Sequence, residues 1–341
     1  MIQRLPIVIA VFILFSACNE NTPVKEPETP AVQNTSHAHP VIFDSDMGPD
    51  YDDVGAITML HSFADDGSAN ILATIASTKY DGVAEVLDVF NTYFNRPDIP
   101  VGLPSQQASE LRDNQHWTDS VRKNYPHSIK NNSEAEDAVE LYRKILAVQP
   151  DTSVTIITVG FLTNISNLLK SSSDKYSALN GKDLVAKKVK KLVSMAGKFP
   201  EGSEFNIKID APASIFVYEN FTRPVIFSGF EIGEKIKTGI PLISDSSIRN
   251  SPVKDVFRIC IPMSKEDSAG RMSWDETAVL VGVKGHEPYY TLNEGAITIN
   301  NEGYNKWDSV NKKHAHLVVK SSPGDVQELI NRLIMHQPAK K

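Results

Sequence analysis

Residues 41–60, VIFDSDMGPDYDDVGAITML, place five aspartates within ten positions directly behind a short apolar run: Asp44, Asp46, Asp50, Asp52 and Asp53. Carboxylates crowded this closely raise one another's cost of ionisation unless a cation or hydrogen-bond donors offset it. A hard divalent cation coordinated by oxygen is the natural solution, and Gly48 lets the loop turn back so that several carboxylates converge. The spacing is not that of an EF-hand loop, which needs ligands at alternate positions and a terminal Glu. A solvated acidic loop is the competing reading, with Asp52 or Asp53 capping a helix that starts near Val54.

The acidic loop resembles the D-x-D-P-G-x-D-D hallmark of the nucleoside hydrolases of the inosine-uridine-preferring type. Here it reads DSDMGPDYDD, two residues longer and with Met47 in place of Pro, which looks like the longer D-x-D-x-G-x-D-x-D-D variant. Three further segments match in the same order. TVGFLTNISNLL (158–169) is similar to the family's strand-end G-x-L-T-N segment, and GKFPEGSEFNIKIDAPAS (197–214) to its E-F-N-x-x-x-D-x-x-A segment. SWDETAVL (273–280) resembles the helix start that normally carries His-Asp. The resemblance runs from residue 41 to about 335.

That resemblance implies calcium-dependent hydrolysis of the N-glycosidic bond of ribonucleosides, giving free base and ribose. Asp46, Asp53 and Asp275 would supply carboxylates to one Ca²⁺, joined by the backbone carbonyl of Val159. Asp46 would be the general base for the attacking water, and Asp52 would hold a ribose hydroxyl. Glu204 and Asn206 would grip the far side of the sugar, including its 5′-hydroxyl. Such a site suits an oxocarbenium-like transition state.

The departures are chemical. Trp274 stands where many relatives have a His, and indole does not ionise near neutral pH, so it cannot protonate a leaving base. Stacking on a base and plain core packing are both open to it. Lys198 lies where relatives often have a sugar-binding Asn, and Ser77 or Thr78 falls near another such position. Residues 111–127 have no clear family counterpart; His116, Trp117, Tyr125 and His127 are candidates for base contact or for purely structural roles. Two other readings stand beside the hydrolase. One is a lipoprotein that binds a nucleoside or sugar without cleaving it. The other is a haloacid-dehalogenase-type phosphatase, suggested by the D-x-D of VIFDSD but poorly matched by Met47-Gly48-Pro49.

Strands and helices must alternate to hold these residues. Short apolar runs at 41–44, 71–76, 154–160, 190–197, 223–229 and 316–320 read as strands. Helical spacing or position predicts helices at 82–95, 134–148, 162–169, 212–220, from near Glu276, and at 323–336. The alternation argues for an α/β fold: an open, mostly parallel sheet with helices on both faces, a nucleoside-hydrolase-like Rossmann-type core by the resemblance. In such sheets ligands gather at the carboxyl ends of strands.

The 341 residues carry 35 basic and 42 acidic side chains, a formal charge of −7, so no broad basic footprint recommends a nucleic-acid partner. Two cysteines are too few for a Cys-based zinc site or a disulfide framework. Residues 5–17, LPIVIAVFILFSA, have the length of a signal-peptide core, and Ser16-Ala17-Cys18 resembles a bacterial lipoprotein signal with Cys18 as the lipidated residue. Residues 19–40 are proline-rich and almost free of large apolar side chains, the composition of a disordered tether. The expected organisation is a signal at 1–18, a tether at 19–40 and one catalytic domain at 41–341. The protein would be exported and attached to a bacterial membrane only through its lipid. A nucleoside is the expected small-molecule partner, and a second copy of the chain is a compatible one.

Overall fold

Strand β1 (His39–Ser45) is fully buried from Val41 onward, and its side chains alternate between two cores. Val41 and Phe43 pack on one face of the sheet and Ile42 on the other, as the two-residue period of a strand requires. The structure, a computed structural model, describes residues 38–339. The expected signal, Cys18 and nearly all of the tether lie outside the described residues.

In chain order the other strands are β2 (Ala69–Ala76), β3 (Val101–Leu103), β4 (Glu136–Asp137), β5 (Val154–Thr158) and β6 (Val189–Met195). They continue with β7 (Glu201–Ser203), β8 (Val225–Ser228), β9 (Lys237–Thr238), β10 (Arg271–Met272), β11 (Tyr290–Ile299), β12 (Tyr304–Asp308) and β13 (His314–Val319). Eleven form one sheet in the order β4-β3-β2-β1-β5-β6-β8-β13-β11-β12-β7, while β9 and β10 pair separately. From β4 through β13 every neighbouring pair is parallel; β11, β12 and β7 add an antiparallel arm. Helices Asp52–Asp65, Val83–Tyr93 and Trp274–Lys284 contribute to one core. Ala138–Val148, Thr163–Lys170 and Ala211–Asn220 contribute to the other. The α/β class and the mostly parallel sheet are as expected from the alternation.

Two local differences have physical causes. The helix expected from 134 begins at Ala138, because the Asp137 side chain accepts the Glu140 N–H at 2.7 Å and caps it there. The antiparallel arm is not among the expected strands: β12 (YNKWD) and β7 (EGS) are short and alternate in burial, so neither makes an apolar run. Among the described residues no helix is long and apolar enough to cross a membrane.

Candidate active site

Strand order reverses beside β1: β2 leads away on one side and β5 on the other. A crevice therefore opens at the carboxyl ends of these two strands. The acidic loop leaves β1 there, and Val159 and Gly160 follow β5. The two loops touch, since a Cβ added at Gly160 would overlap the backbone nitrogen of Asp46. The Ser45 hydroxyl donates to Asp53 Oδ1 at 2.5 Å and accepts the Met47 N–H at 2.9 Å, folding the loop onto its strand. Tyr80 donates its hydroxyl to the Met47 carbonyl at 2.7 Å. Gly48 has no left-handed backbone; a Cβ there would sit 2.7 Å from the Tyr80 ring, so glycine serves close packing rather than the expected turn.

Asp44 lies below the cleft. Its carboxylate accepts from Tyr142 at 2.9 Å and from Asn164 Nδ2 at 3.2 Å, and Asn164 also donates to the Ala76 carbonyl. Burial raises the Asp44 pKa to about 7 while both hydrogen bonds pull it down. Asn164 therefore serves as a structural hydrogen-bond residue beneath the cleft.

Asp46, Asp53 and Asp275 line one cleft of about 630 Å³. They are 3%, 0% and 5% exposed. Burial raises all three pKa values, and neighbouring carboxylates add to the rise: Asp53 then Asp50 for Asp46, Asp52 for Asp53, and Asp52, Asp53 and Asp46 for Asp275. The Asp53 Oδ2 atom is buried without a hydrogen-bond partner. A hard cation answers these features, because it supplies positive charge to an all-oxygen donor set and a partner to the orphaned atom. Val159 also lines the cleft, and its carbonyl accepts Asn206 Nδ2 at 3.1 Å while keeping a second lone pair. Among the described residues no three acidic, His or Cys side chains are already drawn into a metal cage.

Asp52 does something the sequence does not disclose. Neither it nor Asp53 caps its own helix, which begins at Asp52 behind Tyr51 without a side-chain cap. Instead Asp52 Oδ2 accepts the backbone N–H groups of Trp274 and Asp275, at 3.1 and 3.3 Å, at the start of helix Trp274–Lys284. Its Oδ1 accepts from Arg271 Nε and Nη2 at 3.2 and 3.0 Å. Both oxygens of the residue expected to hold a ribose hydroxyl are thus engaged within the protein, although the side chain lines the cleft. Arg271 is 8% exposed, also pairs with Asp50, and lies over the Tyr51 and Trp274 rings at 5.0 and 5.1 Å. Sequence reading missed it: its partner Asp52 is 219 positions away, and a single Arg carries no spacing signal.

The opposite wall is the segment after β7. Glu204 caps helix Phe205–Ile209, accepting from Asn206 N at 2.7 Å and from Ile207 N and Gly197 N at 3.1 Å. Burial raises its pKa, and those hydrogen bonds oppose the rise. Asn206 donates to the carbonyls of Val159 and Met195, both at 3.1 Å, tying this wall to the acidic one.

Trp274 forms part of the cleft with its indole N–H donated to the Phe230 carbonyl at 2.8 Å and its ring 5.1 Å from that of Phe230. Phe230 and the 45%-exposed Phe205 also line it. Phe230 follows β8, so its strand-end position was the available signal; Phe205 sits inside the E-F-N match. Lys198 stands over the Phe230 ring at 4.8 Å. Ser77 Oγ accepts the Phe161 N–H at 2.9 Å. The base-contact candidates of 111–127 are elsewhere. Trp117 is fully buried in the core, Tyr125 donates to Asp255 at 2.6 Å, His127 bonds backbone carbonyls, and His116 is not in the cleft lining. That segment folds as helix Trp117–Asn124 against helices Val83–Tyr93 and Pro252–Cys260, which consumes its aromatics in packing.

The profile of the family described as inosine-uridine preferring nucleoside hydrolase matches residues 41–322. Among curated proteins, the pyrimidine-specific ribonucleoside hydrolase RihA of Shewanella sp. (strain MR-7) is 25% identical over 204 residues, or 57% of this chain. The chain spans about 60% of the length of the curated relatives it matches. Among solved structures, the purine-preferring ribonucleoside hydrolase from Gardnerella vaginalis superposes with a TM-score of 0.67 at 19% identity, over 86% of this chain and 98% of that one. The inosine-uridine preferring nucleoside hydrolase from Bacillus anthracis gives 0.66 at 14% identity, over 87% and 99%. At those identities the structural likeness establishes a shared fold.

Proposed function

As the chain belongs to the inosine-uridine preferring nucleoside hydrolase family, we propose that it hydrolyses the N-glycosidic bond of free ribonucleosides to base and ribose. The observation that carries this reading is the meeting of Asp46, Asp53 and Asp275 in one buried cleft that Glu204 and Asn206 close from the other side. Asp46, Asp53, Asp275 and the Val159 carbonyl would hold Ca²⁺, which when bound orients sugar hydroxyls and makes a bound water more acidic. Asp46 takes the proton of the attacking water as oxygen bonds to the anomeric carbon. The N-glycosidic electron pair leaves with the base, and the surrounding carboxylates stabilise the positive charge that develops on the sugar. Trp274, Phe230 and Phe205 give the departing base apolar faces on which to stack. Trp274 offers the leaving base no ionisable donor, so its proton comes from another cleft group or from solvent.

A nucleoside panel with Ca²⁺, followed for free base and reducing sugar, tests the reaction. Release of both from at least one nucleoside is the expected result. Tight nucleoside binding without release would instead support the non-catalytic binding reading. Asp46→Asn should lower kcat about 10²–10⁴-fold with the fold intact. Wild-type turnover in that variant would remove Asp46 from the role of base.

Cys18 as a lipidated first residue, with attachment to a bacterial membrane through that lipid, belongs to the same reading and rests on the signal-like segment 5–18. Incorporation of labelled fatty acid by the wild type and not by Cys18→Ala is the expected outcome. Equal labelling of both would overturn it.

A further inference from the structure

The edge of the sheet opposite the cleft is basic along β6, β8 and β13, while Asp66 before β2 and Asp151 before β5 are each paired with a lysine. β1, β6, β8 and β13 all begin on it, in parallel and close together in the sheet. Lys190 and Lys191 stand at the start of β6, and His39 at the start of β1. Partial desolvation and then the charges of Lys190, Lys191 and Lys284 hold the His39 pKa below its usual range. Lys284 is answered by Asp66 at 3.1 Å. Next along the edge, Lys182, Arg223, Lys312 and Lys313 line one open cavity with only Glu219 and Glu294 as carboxylates. Lys312 and Lys313 donate to backbone carbonyls, which leaves their charge unpaired. Burial first and then Lys190 pull the Lys191 pKa down to about 8; at Lys313 burial lowers the pKa, the Glu219 carboxylate opposes that, and Lys182 adds a smaller lowering. Like charges thus oppose each other between Lys190 and Lys191 and between Lys182 and Lys313, in a chain whose net charge is −7.

We propose that this edge is a docking surface for the anionic headgroups of a phospholipid bilayer, turning the nucleoside cleft away from the membrane. Three observations favour a lipid surface. The charges are spread across several strand starts rather than gathered into a pocket for one anion. The residues that precede the fold join it at His39, on this same edge. The exposed large aromatics among the described residues are Phe205 in the cleft lining and Tyr304 on β12, so the edge lacks the stacking platform of a single-strand nucleic-acid site. β1 holds the cleft about 20 Å from this edge, the length of a seven-residue strand. The surface would act whether or not Cys18 carries lipid, and independently of the hydrolase reading.

Co-sedimentation of the full chain with vesicles of phosphatidylcholine alone, or mixed with phosphatidylglycerol, tests it. The variant Lys182→Glu/Lys190→Glu/Lys312→Glu is compared with Lys123→Glu/Lys265→Glu/Lys306→Glu, which changes net charge equally at exposed sites away from this cluster. Wild type should prefer the phosphatidylglycerol vesicles, and high salt should abolish the preference. The first variant should lose about tenfold or more in partitioning, and the second should lose little. Equal losses in both, or no phosphatidylglycerol preference in the wild type, would overturn the proposal. So would a charge-dependent affinity confined to a single-stranded polynucleotide. Nucleoside turnover in the same samples is a separate readout, and its absence would count against the hydrolase alone.

Discussion

Arg271 is the residue on which the acidic cleft turns. It neutralises Asp52 in a buried setting while Asp52 holds the start of the helix that carries Asp275. Removing one partner of a buried pair leaves an uncompensated charge. Arg271→Met should therefore cost about 3–5 kcal/mol in urea unfolding and reduce turnover by displacing Trp274 and Asp275. Arg271→Lys should recover only part, since an ammonium cannot reproduce the two-nitrogen contact. His61 gives a second test. It is fully buried, donates to Asn91 Oδ1 at 3.2 Å, and stacks on Phe94 at 4.7 Å. Burial, more than the nearby Arg96, lowers its pKa to about 3. The unfolded chain binds this proton near pH 6.5, so the His61 contribution is fully present above that value and is lost as pH falls toward 3. Stability should fall by up to about 1.4 kcal/mol per pH unit in that window from this residue. His61→Gln should flatten the urea-midpoint profile there; an unchanged slope would acquit His61.

At the scale of elements, the antiparallel arm braces the Glu204 wall of the cleft. Asn305 on β12 is fully buried and clamps Lys198, accepting its N–H at 2.9 Å and donating to its carbonyl at 2.8 Å. β7, paired with β12, leads directly into Glu204. Asn305→Ala leaves both backbone groups unpaired, so stability should fall by about 1–3 kcal/mol, and KM for nucleosides should rise more than kcat falls. Steady-state kinetics beside a melting curve would separate the two effects. The meeting of the β1 and β5 loops is tighter still. Gly160→Ala forces a methyl against the Asp46 backbone, which cannot swing aside as a side chain would. Loss of turnover with about 1–3 kcal/mol of destabilisation is expected.

Across the molecule, the crowded carboxylates would couple folding to the cation of the proposed function. Asp46, Asp53 and Asp275 oppose one another's ionisation in the cleft, so a bound divalent cation should stabilise the fold. At a hundredfold excess over Kd the gain is about 2.7 kcal/mol; melting temperature should rise with Ca²⁺ and drop on chelation. A melting curve indifferent to both would remove the ion from the cleft. The same molecule presents acid at one edge of its sheet and base at the other, a polarity hidden within a net charge of −7.

What the sequence determined by itself is local: the β1 run ending in acid, the strand-end Gly160, the E-F-N segment and the Trp-Asp helix start are each readable because their pattern lies within a dozen residues. The central parallel strands were legible for the same reason, β1 and β5 as short runs buried on both faces and β6 through its buried second half. Tertiary structure alone decided the rest. It joined Asp52 to Arg271, clamped Lys198 with Asn305, and gathered lysines from several strand starts onto one edge. Those pairings span from about a hundred to more than two hundred positions. Hydrogen bonds and charges act through distance in space, and only the folded sheet sets that distance.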